Sequence, residues 1–264
     1  AQQAYPDRPV QTAKAWKEMI HRYFAGTLGL LILAICLLAW RPEFRKRQSP
    51  ALPTLLLAVV GLQAALGMWT VTLLLKPLIV TLHLLGGMTT LALLIAMSIK
   101  EALPAPARGA GSKLHLLAAI ALLAVVGQIA LGGWVSSNYA VLACTGFPHC
   151  NGSWWPAMDF GHGFTLLRGL GEGRDGSGLT FEALVAVHMA HRLFALAAIT
   201  ALLWLAWRLW RQPEAALRRQ GAGLAALTGL QFASGLSNVV LGWPLVAALG
   251  HSAGAAGMVL LLTL

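Results

Sequence analysis

Charge is what this sequence has least of. Asp, Glu, Lys and Arg make up 11% of its 264 residues, where soluble domains run near a quarter. With 58% of residues hydrophobic, the apolar surface is too large for one soluble core to hide, which excludes an ordinary soluble domain. Basic residues are absent from every second connection between apolar runs, or nearly so: Lys76 stands alone in one, Arg168 and Arg174 are spread over a long one, and "GWPLVAAL" has none. The net charge of +10 therefore forms no basic face outside a few loops, which argues against nucleic acid as a partner. The chain also lacks an initial Met and a leader-like apolar region at "AQQAYPDRP", and it closes on the apolar "VLLLTL" with no polar cap. The expectation is a stretch of a longer membrane protein.

Seven apolar runs are long enough to cross a bilayer as helices: Arg22 to Trp40, Ala51 to Leu75, Leu78 to Ile99, Leu114 to Val135, Phe181 to Trp207, Gly221 to Leu241, and Leu245 to Leu264. A spanning segment must satisfy its own backbone, so the predicted fold is an all-α integral membrane protein in contact with lipid. Arg41, Arg45, Lys46 and Arg47 share one connection. Lys100, Arg108 and Lys113 share another, and Arg208, Arg211, Arg218 and Arg219 a third. By the positive-inside rule these three face the cytoplasm.

The chain repeats itself. "HRYFA" at His21 to Ala25 answers "HRLFA" at His191 to Ala195. Gln63 follows His21 by 42 residues and Gln231 follows His191 by 40; a further 20 residues lead to His83 and His251. Gln128 in "GQIALGGW" echoes Gln63 in "LQAALGMW", and it precedes the His191 helix. No helix ahead of His21 matches it. The expected architecture is a tandem parallel repeat of two four-helix transmembrane bundles, seven of the eight helices falling in this chain. Residues 1–100 form the first half and 114–264 the second, with a long outer loop over 136–180.

Counting along the helices puts the four histidines at similar depth. From His21 to Trp40 is 19 residues, about 29 Å of helix, and from His83 to Ile99 or His191 to Trp207 is 16 residues, about 24 Å. All four fall in the outer part of the bilayer. An intramembrane ionisable group is a functional hypothesis by default, with an interhelical hydrogen bond as the plainer alternative. Two pairs on neighbouring helices, reproduced by a repeat, point to imidazoles holding heme iron from both faces. Zinc fits less well, since neither pair brings a third and fourth ligand.

The flanking residues leave alternatives open. Arg22 and Arg192 suit porphyrin carboxylates or interfacial snorkelling. Gly86, Gly87, Gly254 and Gly257 leave room for a flat macrocycle or for close helix packing. Glu18 shares a face with His21, where a carboxylate could move protons or serve as a helix-start acid. His188 takes the equivalent place beside His191, as a group supporting that ligand or as an interfacial one. In "CTGFPHC" a structural disulfide between Cys144 and Cys150 is the first choice; a redox-active pair and a metal clip with His149 are the others. Trp154 and Trp155 read as interface anchors and Cys36 as a core residue. His115, His149 and His162 break the repeat and read as structural or solvated.

With "EMIHR" at Glu18 to Arg22, "LHLLGG" at Leu82 to Gly87, "CTGFPHC", "AHR" at Ala190 to Arg192 and "GH" at Gly250 and His251, the chain resembles the heme A synthase family of bacterial plasma and mitochondrial inner membranes over nearly its whole length. The resemblance implies eight helices in two bundles, and oxidation of a heme O methyl group to the formyl group of heme A for terminal oxidases. It implies heme b on His191 and His251 as cofactor, and substrate heme flanked by His21 and His83. It also implies Glu18 as the acid of the successive hydroxylations, and the Cys144–Cys150 pair in an extracytoplasmic loop. Heme O synthase and an electron donor are the expected partners, and a homo-oligomer is left open. Two other readings remain at this stage: an electron-transfer cytochrome b with two bis-histidine hemes, and a transporter built on a parallel repeat.

Overall fold

The computed structural model describes residues 11–46, 49–102, 112–173 and 175–264. Arg47, Arg108, Arg174 and the "AQQAYPDRP" segment lie outside them. Among the described residues the protein is helical throughout, with two isolated bridges as its only strand-like pairing. The helices are α1 (Thr12–Ala39), α2 (Pro42–Arg45), α3 (Ala51–Thr72), α4 (Pro77–Ala102) and α5 (Ser112–Ser137), then α6 (Phe160–Gly163), α7 (Phe181–Trp210), α8 (Ala215–Val240) and α9 (Leu245–Thr263). Each of the seven apolar runs falls on a helix, overrunning its end by at most three residues. Six helices are long and apolar enough to span a bilayer. The seventh, α8, is 26 residues long, but Gln231, Ser234, Ser237 and Asn238 dilute its apolar run. The protein is an all-α integral membrane protein. Its large apolar side chains point outward as lipid contact requires: Val246 is 83% exposed, Phe24 75% and Leu123 71%.

Two compact units divide at residue 62, inside α3. In the first, Ile32 and Cys36 of α1 and Leu56 of α3 are buried. Thr54 Oγ1 donates to Pro50 O and accepts from Trp40 Nε1 at 3.0 Å. Cys36 Sγ lies 3.8 Å from the same hydroxyl.

The second unit runs from Gln63 to Leu264. Its centre is a ring of four helices: α5 packs on α7, α7 on α8, α8 on α9, and α9 on α5. α7 and α9 stand diagonally and do not pack on each other. α4 lies outside the ring, against α5 and α9, which is why it belongs to this unit. One apolar cluster, with Val125, Leu205, Leu224 and Met258, fills the ring toward the start of α5 and the end of α7. Another, with Trp134, Val141, Cys144, Cys150 and Val187, closes the opposite end under the long loop.

Three helices of this unit end alike. α3, α5 and α8 stop at Thr72, Ser137 and Val240, each nine residues beyond Gln63, Gln128 and Gln231. Two residues further, Leu74, Tyr139 and Gly242 all take left-handed backbone, with φ of 53°, 55° and 68°. The next residues, Leu75 and Trp243, do so as well. Only glycine adopts that region without steric cost; the four others are exposed, and turn hydrogen bonds such as Leu75 N to Thr70 O at 2.9 Å and Trp243 N to Asn238 O at 2.8 Å hold their backbone there.

Candidate functional site: histidines seated against neighbouring helices

α4 and α9 present their histidines at the same register. His83 lies six residues beyond Pro77, the first residue of α4, and His251 six beyond Leu245, the first of α9. His83, His191 and His251 are each seated on the helix that precedes them. A methyl group at Gly67 of α3 would stand 3.1 Å from His83 Cε1; at Gly132 of α5, 3.2 Å from His191 Cε1; at Gly235 of α8, 3.1 Å from His251 Cε1. That is tighter than ordinary contact, so glycine is what lets each ring lie flush with the next backbone. Each of these glycines stands four residues, about one turn, after Gln63, Gln128 or Gln231.

The glutamines make the same approach. Gln63 Nε2 donates to His83 O at 2.8 Å and Gln128 Nε2 to His191 O at 3.2 Å. Gln128 Nε2 also lies 3.1 Å from His191 Nδ1 and 3.3 Å from its Nε2. Gln63 Oε1, Gln128 Oε1 and Gln231 Oε1 are all buried without a hydrogen-bond partner. On α9, His251 Nδ1 lies 2.9 Å from Ser234 Oγ.

His191 and His251 stand on the diagonal helices of the ring, α7 and α9. Two imidazoles from opposite corners of a four-helix bundle, each with one edge engaged by a neighbouring helix, are a donor set of the kind that suits a bis-histidine heme. The orphaned amide oxygens and the glycine seats show a site built around the rings. These residues fit heme b as the cofactor.

The remaining candidates fall into place around this pair. Glu18 and His21 lie on α1 of the first unit. Glu18 sits well inside α1, which begins at Thr12, so it is not a helix-start acid. Its Oε1 accepts from Arg22 Nη2 at 2.6 Å, with both side chains about half exposed. Arg192 donates to His149 O at 3.1 Å and to Gly146 O at 3.0 Å, so two of its donors are spent on the disulfide loop. His188 is buried and its Nδ1 donates to Ala140 O at 2.8 Å. It ties α7 to the loop. Gly86 and Gly254 receive the side chains of Gln63 and Gln231, and Gly257 that of Leu227 at 3.2 Å. Close helix packing is the role these glycines take.

Cys144 and Cys150 form a disulfide. Among the described residues no cluster of three or more His, Cys, Asp or Glu side chains could hold a metal ion. His149 instead meets Trp154 edge-on, with 4.2 Å between ring centroids. His162 pairs with Asp159 at 2.7 Å, and its N–H groups hold the Asp159 carboxyl below the usual carboxylate range.

Sequence reasoning missed Ser234, the seating role of the glutamines and glycines, and one buried node. In that node Arg168 is 5% exposed, donates to Asn138 Oδ1 and lies over the Trp134 ring. Burial lowers its pKa, and the charge of Glu172 opposes that shift. The threefold recurrence of Gln-x3-Gly was the signal for the seats; nothing in the sequence marked the arginine.

Over residues 1–264 the chain matches the family described as COX15-CtaA, cytochrome oxidase assembly protein. The chain belongs to that family. It is 40% identical over 270 residues to the heme A synthase of Shewanella oneidensis, covering all of this chain and 78% of that protein. It is 30% identical over 244 residues to the heme A synthase of a Chelativorans species, covering 90% of this chain and 64% of that one. The heme A synthase of Halalkalibacterium halodurans is 29% identical over 147 residues, about half of either chain.

Proposed function

We propose that the protein is a heme A synthase, a membrane oxidoreductase that converts a methyl group of heme O to the formyl group of heme A by successive hydroxylation. The observation that carries this reading is the pair His191 and His251, seated on diagonal helices of one bundle in a chain of this family. Heme b, when bound, supplies one-electron redox chemistry. His191 and His251 hold it in place, and the two apolar clusters above and below them exclude water from its surroundings.

For the substrate the proposal rests on the sequence. His21 and His83 are assigned to the substrate heme. Glu18, one turn before His21 on the same helix face, is assigned to accept protons as the methyl group is oxidised. The Glu18–Arg22 ion pair supports this by keeping the carboxylate in one place. We assign the three basic connections to the cytoplasmic side of a bacterial plasma membrane. His191 and His251 then lie nearer the opposite face, toward the loop that carries Cys144 and Cys150. The expected partners are a heme O synthase that supplies substrate and an electron donor, which with an oxidant such as dioxygen supplies the two electrons that each hydroxylation consumes.

The test is pigment analysis of the full chain co-expressed with a heme O source. Formyl heme is expected in the wild type. Glu18→Gln should keep the heme b absorbance and accumulate unconverted heme O. His191→Ala and His251→Ala should each lose heme b. A wild-type protein that yields neither formyl heme nor a hydroxylated intermediate refutes the enzyme reading. Indifference to Glu18→Gln, with unmodified heme b at both sites, would make the protein an electron-transfer cytochrome instead.

A further inference from the structure

His251 has a hydroxyl neighbour on the next helix. Ser234 Oγ donates to Gln231 O at 3.1 Å within its own helix, and a hydroxyl has only one proton to give. The same oxygen lies 2.9 Å from His251 Nδ1 on the next helix. With its proton on the Gln231 carbonyl, that oxygen can only accept from the nitrogen, and Nδ1 then carries the hydrogen. A neutral imidazole protonated at Nδ1 has its lone pair at Nε2, the atom that faces away from this contact.

We infer that Ser234 is a positioning residue for His251. It fixes the Nδ1–H tautomer, limits rotation of the ring, and draws on the N–H so that Nε2 becomes a stronger donor to iron. A serine that bonds its own helix carbonyl is common in apolar helices; the contact across to a second helix is what goes beyond that. The residue three after the glutamine is Leu66 on α3 and Leu131 on α5. Of the three seats, only the one under His251 has a hydroxyl there.

Gln128 serves His191 by other means. Its amide nitrogen lies against the ring while its oxygen is buried without a partner. A carboxamide can present either atom to a neighbour. If His191 held a heme through Nε2, its Nδ1 would bear hydrogen, and the amide would present its oxygen to that hydrogen in exchange for its bond to His191 O. The two ligands of one heme would thus donate to different acceptors, an amide oxygen and a serine hydroxyl.

The inference rests on His251 as a heme ligand, and the experiment separates the two claims. The full chain is purified with heme b as wild type, Ser234→Ala, Ser234→Thr and His251→Ala. Heme retention, midpoint potential and the ferric electron paramagnetic resonance spectrum are measured. Ser234→Ala should bind heme about tenfold more weakly and show a raised potential, because a weaker nitrogen donor favours ferrous iron. A tenfold change in the ferric-to-ferrous binding ratio reads as about 59 mV. Ser234→Thr keeps the hydroxyl and should restore both. Wild-type affinity and potential in Ser234→Ala overturn the inference. If Ser234→Ala carries no heme, Ser234→Thr decides: a refilled site supports the hydroxyl, and an empty one shows that only packing mattered. If His251→Ala keeps an unchanged heme spectrum, the ligand assignment itself fails; if it loses heme while Ser234→Ala is silent, only the role of Ser234 falls.

Discussion

At the scale of single residues, the glycines under the rings are as consequential as the histidines. A methyl group at Gly132 would stand 3.2 Å from His191 Cε1 and at Gly235 3.1 Å from His251 Cε1, so either ring must tilt by a few tenths of an ångström to admit it. A metal ligand tolerates little tilt, because its lone pair must stay aimed at the iron. Gly132→Ala and Gly235→Ala are expected to lower heme affinity by about tenfold, the scale of a disturbed ligand support. Helix content by circular dichroism should stay unchanged. Gly229→Ala is the control, since a methyl group there meets nothing within 4 Å. Heme titration of the three variants checks this, and equal affinity in all of them would show that the seats are not tight. The histidines themselves were legible in the sequence because a charged-capable side chain is conspicuous in an apolar run. Ser234 was not, since serine in such a run ordinarily satisfies itself on its own helix. Only the position of the next helix reveals its second contact.

At the scale of elements, the long connection after α5 is held down at many points. Trp134 Nε1 donates to Gly163 O at 2.9 Å, and Asn151 bridges Thr145 and Ala143 within the disulfide loop. His188 and Arg192, one turn apart on α7, reach Ala140, Gly146 and His149. Polar groups in this apolar helix thus have two purposes: His191 faces α5 and its neighbours, while His188 and Arg192 fasten the loop over the same end of the bundle. The sequence offered the disulfide but could not say which way Arg192 turns, because carboxylate and carbonyl oxygens attract a guanidinium alike. Arg192→Ala removes two charge-assisted hydrogen bonds. It should destabilise the loop locally by about 2 kcal/mol, read as faster amide exchange over residues 144–152 with heme b retained. Loss of heme with unchanged exchange would restore Arg192 to the role of a porphyrin carboxylate holder.

At the scale of the molecule, hydrophobic run length predicted every long helix but not every boundary. α1 begins at Thr12, ten residues before its apolar run, because Lys14, Lys17 and Glu18 continue a helix that needs no lipid to stay helical. α4 joins the second unit through α5 and α9, a packing choice that sequence periodicity does not encode, since helices exposed to lipid all round carry little amphipathic signal. Sidedness is where charge does the work. Arg208, Arg211, Arg218 and Arg219 flank the α7–α8 connection, and the connection after α5 is far poorer in basic residues for its length. Moving four cations across a bilayer is far costlier than leaving them behind. Single cysteines at Leu167, 89% exposed in the long loop, and at Glu214, the exposed N-cap of α8 whose side chain makes no capping bond, separate the two faces. Background is low, because Cys144 and Cys150 are paired and Cys36 is buried. In intact cells a membrane-impermeant maleimide should label Leu167→Cys at once and Glu214→Cys only after permeabilisation. The reverse pattern would put the histidine pair on the cytoplasmic side and invert the direction from which substrate heme and electrons must arrive.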